Sequence, residues 1–276
     1  MALKNGGKHY LAPELWNLAR SVPHVHRVEC FAGSLAFTLA ADPEGYSEVV
    51  CDLHRGLTNF WRVLQNEALF AKFQRRVEAI PFSEEEYRWA SSFPEPRNGQ
   101  YGAATIEDSV FWAANFFVHC RQSLAGRMDH FAPLTRNRVR RQMNEQASAW
   151  LTTVEGLSTV HARLKRVVVL SPAPATRIIQ QQDGPNTLIY ADPPYLDSTR
   201  ASPKVYQHEM SKHDHCDLLD LLAQVQGKFL LSGYDNQLYR EYEQRYGWNR
   251  HVFDLPNNSA GGSSKERKTE VVWCNF

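Results

Sequence analysis

The chain has no run of about 18 apolar residues, which excludes a membrane-spanning helix. Residues 1–11 contain no apolar signal core, so secretion is not expected. No CxxC pair occurs among Cys30, Cys51, Cys120, Cys216 and Cys274. That spacing predicts reduced, mostly buried thiols in a cytoplasmic protein without zinc. Net charge is almost absent, 31 Lys and Arg standing against 30 Asp and Glu, so bulk charge by itself calls for no polyanion. A complete G-x-G-x-x-G is missing as well, which argues against a dinucleotide cradle, because a pyrophosphate needs that close backbone approach. No internal repeat is evident. The 276 residues suit one large domain or a core with an insert.

What is present centres on Asp192-Pro193-Pro194-Tyr195. The apolar run Thr187 to Ala191 ahead of it reads as a buried strand. Two prolines lack N–H groups and have fixed φ, so strand and helix both stop there. A stiff corner at a strand's carboxyl end would hold a carboxylate, the bare Pro193 carbonyl and the Tyr195 ring in fixed relation, and ligands of open α/β sheets bind at such ends. These parts suit a planar base carrying an exocyclic amine. Asp192 and the Pro193 carbonyl each accept one amine proton, and Tyr195 stacks, worth roughly 1–3 kcal/mol. Two acceptors out of the ring plane draw the nitrogen toward sp³ and free its lone pair, which is preorganised electrostatic catalysis. The blander reading is a turn with a surface Asp. Adenine and cytosine both present such an amine.

Earlier in the chain, residues 26–30 form a strand, Phe31-Ala32-Gly33-Ser34 a glycine turn, and residues 35–40 a helix. Strand, glycine turn and helix make a ligand-cradling βα unit. A second strand, residues 47–51, ends in Asp52, 19 residues beyond Gly33. An acid at that distance is where ribose hydroxyls are held, with charge-assisted bonds of roughly 1.5–3 kcal/mol each. An N-cap for Asp52 and an ordinary tight turn at Gly33 are the plain alternatives. A ligand with ribose and no phosphate, such as S-adenosyl-L-methionine, fits this incomplete glycine pattern. Asn5-Gly6-Gly7-Lys8 forms a turn that lets backbone approach a ligand and offers one cation.

Residues 59–159 read as a largely helical insert, with helices over 59–74, from Glu84, over 106–122 and over 144–164. Phe111, Trp112, Phe116 and Phe117 belong to its core. Residues 119–166 hold nine Lys and Arg against three acids, a possible phosphate footprint carried by Arg121, Arg127, Arg136, Arg138, Arg140 and Arg141. The α/β core, residues 1–58 and 160–276, resumes with an apolar strand at 167–170. Arg200 and Lys204 lie in a polar loop after Tyr195, where a lid would sit. His213-Asp214-His215-Cys216 looks like a ligand cluster but falls in a first helical turn, where caps gather. The chain ends with strands near 228–231, 250–254 and 270–276.

In order and content these parts resemble the Dam-type (D12 class) DNA adenine N6-methyltransferases. Gly6-Gly7-Lys8, Glu29-Cys30-Phe31-Ala32-Gly33-Ser34, Asp52, Asp192-Pro193-Pro194-Tyr195, Ser232-Gly233-Tyr234 and Glu270 to Asn275 carry the resemblance. Leu35 stands where the family usually has a second glycine, and Lys4 where it often has an aromatic residue. The resemblance implies a Rossmann-like mixed sheet with an inserted DNA target-recognition domain. It implies S-adenosyl-L-methionine held near Lys8, Phe31, Gly33, Ser34, Asp52 and Asp192, and double-stranded DNA gripped by the insert and the loop with Arg200 and Lys204. The target adenine would be flipped out and methylated directly at N6. It also admits a restriction endonuclease partner, or a stand-alone enzyme of the phage type. N4-cytosine or RNA amino-methylation, and a non-catalytic DNA-binding protein that keeps the fold, are the other readings.

Overall fold

The computed structural model describes residues 8–93, 105–196, 209–256 and 267–276. The chain divides into two compact units, residues 9–54 with 170–276 and residues 1–8 with 55–169. The segment 55–169 is wider than the expected insert of 59–159, mostly at its carboxyl end.

A mixed sheet is formed by β1 (His26–Glu29), β2 (Ser47–Val50), β5 (Val168–Val169), β6 (Thr187–Ala191), β7 (Lys228–Gly233), β8 (Asn249–Pro256) and β9 (Arg267–Cys274), and all but β5 belong to the first unit. Its order is β5-β2-β1-β6-β7-β9-β8. β1 pairs parallel with β2 and with β6, β6 pairs parallel with β7, and β9 runs antiparallel to β7 and β8. All five residues of β6 are buried, as an apolar run without alternation predicts for a strand covered on both faces. The period of two then sorts the core. Ile189 and Ala191 pack with Phe229, Leu231 and Trp273 on one face. Leu188 and Tyr190 pack with Leu230 and Val272 on the other, under helix Ala12–Ala19.

Strand order proceeds from β1 through β2 in one direction and from β6 through β7 in the other, so the switch point lies between β1 and β6. Their carboxyl ends open the crevice where ligands of such sheets bind. Cys30 N donates to Tyr190 O at 3.3 Å, which keeps the two chain exits side by side. The expected strand at 167–170 is only two residues long, with Leu170 N donating to Val50 O.

The second unit is helical. Helix Ile106–Gln122 is its axis, opened by a Thr105–Asp108 capping box that satisfies the Asp108 and Thr105 N–H groups. Phe116 and Phe117 are buried, as expected, and Phe60 stacks on Phe117 at 5.7 Å. Phe111 and Trp112 are only half-buried. The helix expected over 59–74 is two, Arg55–Gln65 and Glu67–Glu78. Asn66 adopts an extended conformation between them and accepts from Leu69 N, so an N-cap cuts the apolar period. The stretch 144–164 likewise breaks at Gly156 into Glu145–Glu155 and Leu157–Leu164. A two-strand hairpin, β3 (Val139–Arg140) with β4 (Met143–Asn144), precedes them.

Candidate active site

Asp192 leaves β6 half-buried, Pro193 behind it is buried, and Tyr195 is 8% exposed. The Tyr195 hydroxyl donates to Glu270 Oε2 at 2.7 Å and lies 3.5 Å from Asp192 Oδ1. Its ring meets Tyr234 edge-on, centroids 4.4 Å apart. Glu270, buried on β9, also accepts from the Tyr10 hydroxyl at 3.4 Å. Below the corner, Tyr190 shares a 3.2 Å hydrogen bond with Ser232. Burial, and then the charges of Glu270 and Asp192, push the Tyr10 phenol upward. Tyr190 is raised well above the ordinary phenol value by burial and then by Asp192. Both of these hydroxyls stay protonated at neutral pH, and Tyr10 donates to Glu270.

Glu29, the last residue of β1, is fully buried. Desolvation lifts its carboxyl to about 8, against the pull of Thr38, whose N–H and hydroxyl both donate to Oε2. The negative charge of Asp192 adds to the rise.

The glycine turn follows directly. Gly33 has φ +46° and Leu35 φ +55°, so two left-handed residues bend the chain into helix Ala36–Ala40. Asp52 Oδ2 accepts from Gly33 N at 2.8 Å and Oδ1 from His54 N at 2.8 Å. Asp52 therefore acts on two turns. It orders the turn after β2, and it ties that turn to the one after β1. Phe31 and Ser34 are half-buried beside it, and Phe31 packs on the core. These residues fit a ribose-bearing, phosphate-free ligand: a half-buried carboxylate at the end of β2, a glycine whose added Cβ would meet nothing nearer than Phe31 O at 3.8 Å, and an aromatic wall. Lys8 is buried at the start of a 3₁₀ turn. Lys4, Gly6, Gly7, Arg200 and Lys204 lie outside the described residues.

Among the arginines, Arg127, Arg136, Arg138, Arg140 and Arg141 are exposed. Arg138 and Arg140 reach Glu145 at 3.6 and 3.9 Å, and Arg141 pairs with Glu155 at 2.9 Å. Arg121 differs. Its guanidinium is half-buried and donates to Thr153 Oγ1 at 2.6 Å, which takes it off the surface that a phosphate could reach. In the 213–216 cluster, Asp214 closes a capping box with Ser211, and buried His215 bonds Tyr239 at 2.9 Å. Those contacts give both residues structural work in helix Lys212–Leu222. Sequence reasoning did not pick out Glu270, Tyr10 or Glu29 as individual site residues. A signal existed for Glu270, an acid at the head of the otherwise apolar Val271-Val272-Trp273-Cys274.

A seven-stranded, mostly parallel sheet with an antiparallel β9 and a ligand crevice between β1 and β6 is the architecture of an S-adenosylmethionine-dependent methyltransferase. The family model described as D12 class N6 adenine-specific DNA methyltransferase matches residues 5–252, and the chain belongs to that family. No curated protein matches the sequence. Membership gives the activity its outline: methylation of adenine N6 in DNA with S-adenosylmethionine as methyl donor. No helix among the described residues is long and apolar enough to cross a membrane.

Proposed function

We propose that the protein methylates a flipped-out adenine within a specific double-stranded DNA sequence, with Asp192-Pro193-Pro194-Tyr195 as its catalytic corner. The observation that carries this reading is the Asp192 carboxylate at the end of fully buried β6, beside a tyrosine held by Glu270. Asp192 and the Pro193 carbonyl accept hydrogen bonds from the two N6 N–H groups and pull the amine toward sp³, and Tyr195 stacks on the base. Flipping costs a few kcal/mol, offset by these contacts. S-adenosylmethionine supplies an electrophilic methyl group when bound. Asp52 would hold its ribose, Phe31, Gly33 and Ser34 would line it, and Lys8 is the cation the sequence offers to its amino-acid part. The transfer is direct, with no covalent enzyme intermediate.

The helical unit, residues 55–169, serves as the DNA-recognition insert. Arg127, Arg136, Arg138, Arg140 and Arg141 contact phosphates, with Arg200 and Lys204 as further candidates in the sequence after Tyr195. We leave Arg121 out, because its guanidinium is already committed to Thr153. A restriction endonuclease cutting the same sequence is the natural partner if the enzyme serves modification.

The test is to incubate the protein with unmethylated DNA and labelled S-adenosylmethionine, then identify the modified nucleoside. N6-methyladenine is expected from wild type and none from Asp192→Ala, which should fold and still bind DNA. Methylcytosine as the only product, or turnover by the mutant, would overturn the assignment.

A further inference from the structure

Glu270 contributes no atom to the base or cofactor contacts just described, yet it is 4% exposed in the same neighbourhood. Burying a carboxylate is costly unless hydrogen bonds compensate it. Here Oε2 accepts the Tyr195 phenol at 2.7 Å, within the range of a strong charge-assisted O–H···O⁻ bond. Tyr10 approaches the other oxygen at 3.4 Å. The backbone end of the Tyr195 ring is fixed by the Pro193-Pro194 corner, and its edge contact with Tyr234 limits rotation. A phenol anchored at the far end removes the remaining pivot. The competing contact, Asp192 Oδ1 at 3.5 Å, is the poorer acceptor by distance, so Glu270 also keeps the phenol proton away from Asp192. The carboxylate that must accept an amine proton is thereby left to that task. The register of β9 fixes the whole arrangement, because Gly233 pairs with Val271 and Phe253 with Glu270.

We propose that Glu270 is a positioning residue for the methyl-transfer reaction, holding the Tyr195 ring in its stacking orientation through the phenol and keeping that phenol off Asp192. The proposal rests on the catalytic corner assigned above.

A double-mutant cycle tests it, with turnover and S-adenosylmethionine affinity measured for each variant. Glu270→Ala is expected to lower kcat about ten- to a hundredfold, the scale of one hydrogen bond to a charged group. Cofactor affinity should stay within about twofold. Glu270→Gln keeps an acceptor oxygen and should recover most of the rate. In a Tyr195→Phe background, which has no phenol to hold, removing Glu270 should cost nothing more. Losses that add in the double mutant, wild-type turnover by Glu270→Ala, or loss of cofactor binding would each overturn the positioning role. If Glu270→Ala does not fold, Glu270→Leu, which fills the volume, replaces it in the same cycle. Failure of the catalytic corner itself reads differently, as turnover by Asp192→Ala.

Discussion

Leu35 adopts φ +55° in the turn after β1, a region in which a leucine costs roughly 1–2 kcal/mol relative to glycine. Its side chain is fully buried, and truncating a buried leucine costs about 2–5 kcal/mol. Packing outweighs backbone relief. Leu35→Gly is therefore expected to destabilise the protein by about 2 kcal/mol, visible as a lower Tm in thermal unfolding. A rise in Tm would show that strain dominates. The departure from the family's glycine was legible in the sequence, but its reason was not. Nothing in the order of residues says that the side chain turns into the core while the backbone keeps the glycine conformation. Glu29 supports a second expectation at this scale. Its carboxyl rises from an ordinary 4.5 to about 8 because the folded state buries it. Between those values the folded protein binds a proton that the unfolded chain releases, so stability falls as pH rises through the window. Glu29→Gln should flatten that slope, measured as Tm against pH from about 4.5 to 8. An unchanged slope would mean that Glu29 titrates normally when folded.

Elements were legible where one physical signal governed them and obscure where two competed. The run before Asp192 has length, apolarity and a proline stop in agreement, and β6 occupies the expected residues. The stretch 59–74 has an unbroken apolar period, and the cap at Asn66 lies hidden within it. The β3–β4 hairpin was missed because its turn, Arg141-Gln142, carries none of the usual turn chemistry. Both residues have positive φ, +51° and +60°, the arrangement of a type I′ turn normally filled by Asn-Gly. Gln142→Gly should relieve about 1 kcal/mol of local strain, read as a higher Tm. The same hairpin presents Arg138, Arg140 and Arg141 to solvent. Their ion pairs are exposed and contribute little to stability. Replacing Arg138 and Arg140 with Ala should leave Tm nearly unchanged. If they neutralise phosphates, DNA affinity falls and the slope of log K against log salt becomes shallower by about one for each arginine removed. A slope equal to wild type would remove the hairpin from the DNA interface.

At the scale of the whole molecule, the family match spans residues 5–252, and the motifs of the resemblance follow one another in order along the chain. The sheet explains why that order is informative. Residues 52 and 192 are far apart in sequence, yet β2 and β6 both flank β1, so their carboxylates leave the same end of one sheet. Cofactor binding is the property that tests this convergence without requiring DNA or turnover. A ligand that binds only the folded state stabilises it by RT ln(1 + [L]/Kd), about 2.7 kcal/mol at a hundredfold excess over Kd. The Tm of wild type should therefore climb steadily with S-adenosylmethionine concentration. Asp52→Ala removes the carboxylate and also frees Gly33 N and His54 N, so part of its effect is on the turns themselves. Asp52→Asn separates the two contributions. Its single carbonyl oxygen can hold one of those N–H groups, so most of the unliganded Tm should persist, while pairing with two ribose hydroxyls is lost and the ligand-dependent climb shrinks. A variant whose unliganded Tm falls but whose climb matches wild type would make Asp52 a scaffold for the turn alone. The ribose contact would then have to come from elsewhere at the β1 and β2 ends.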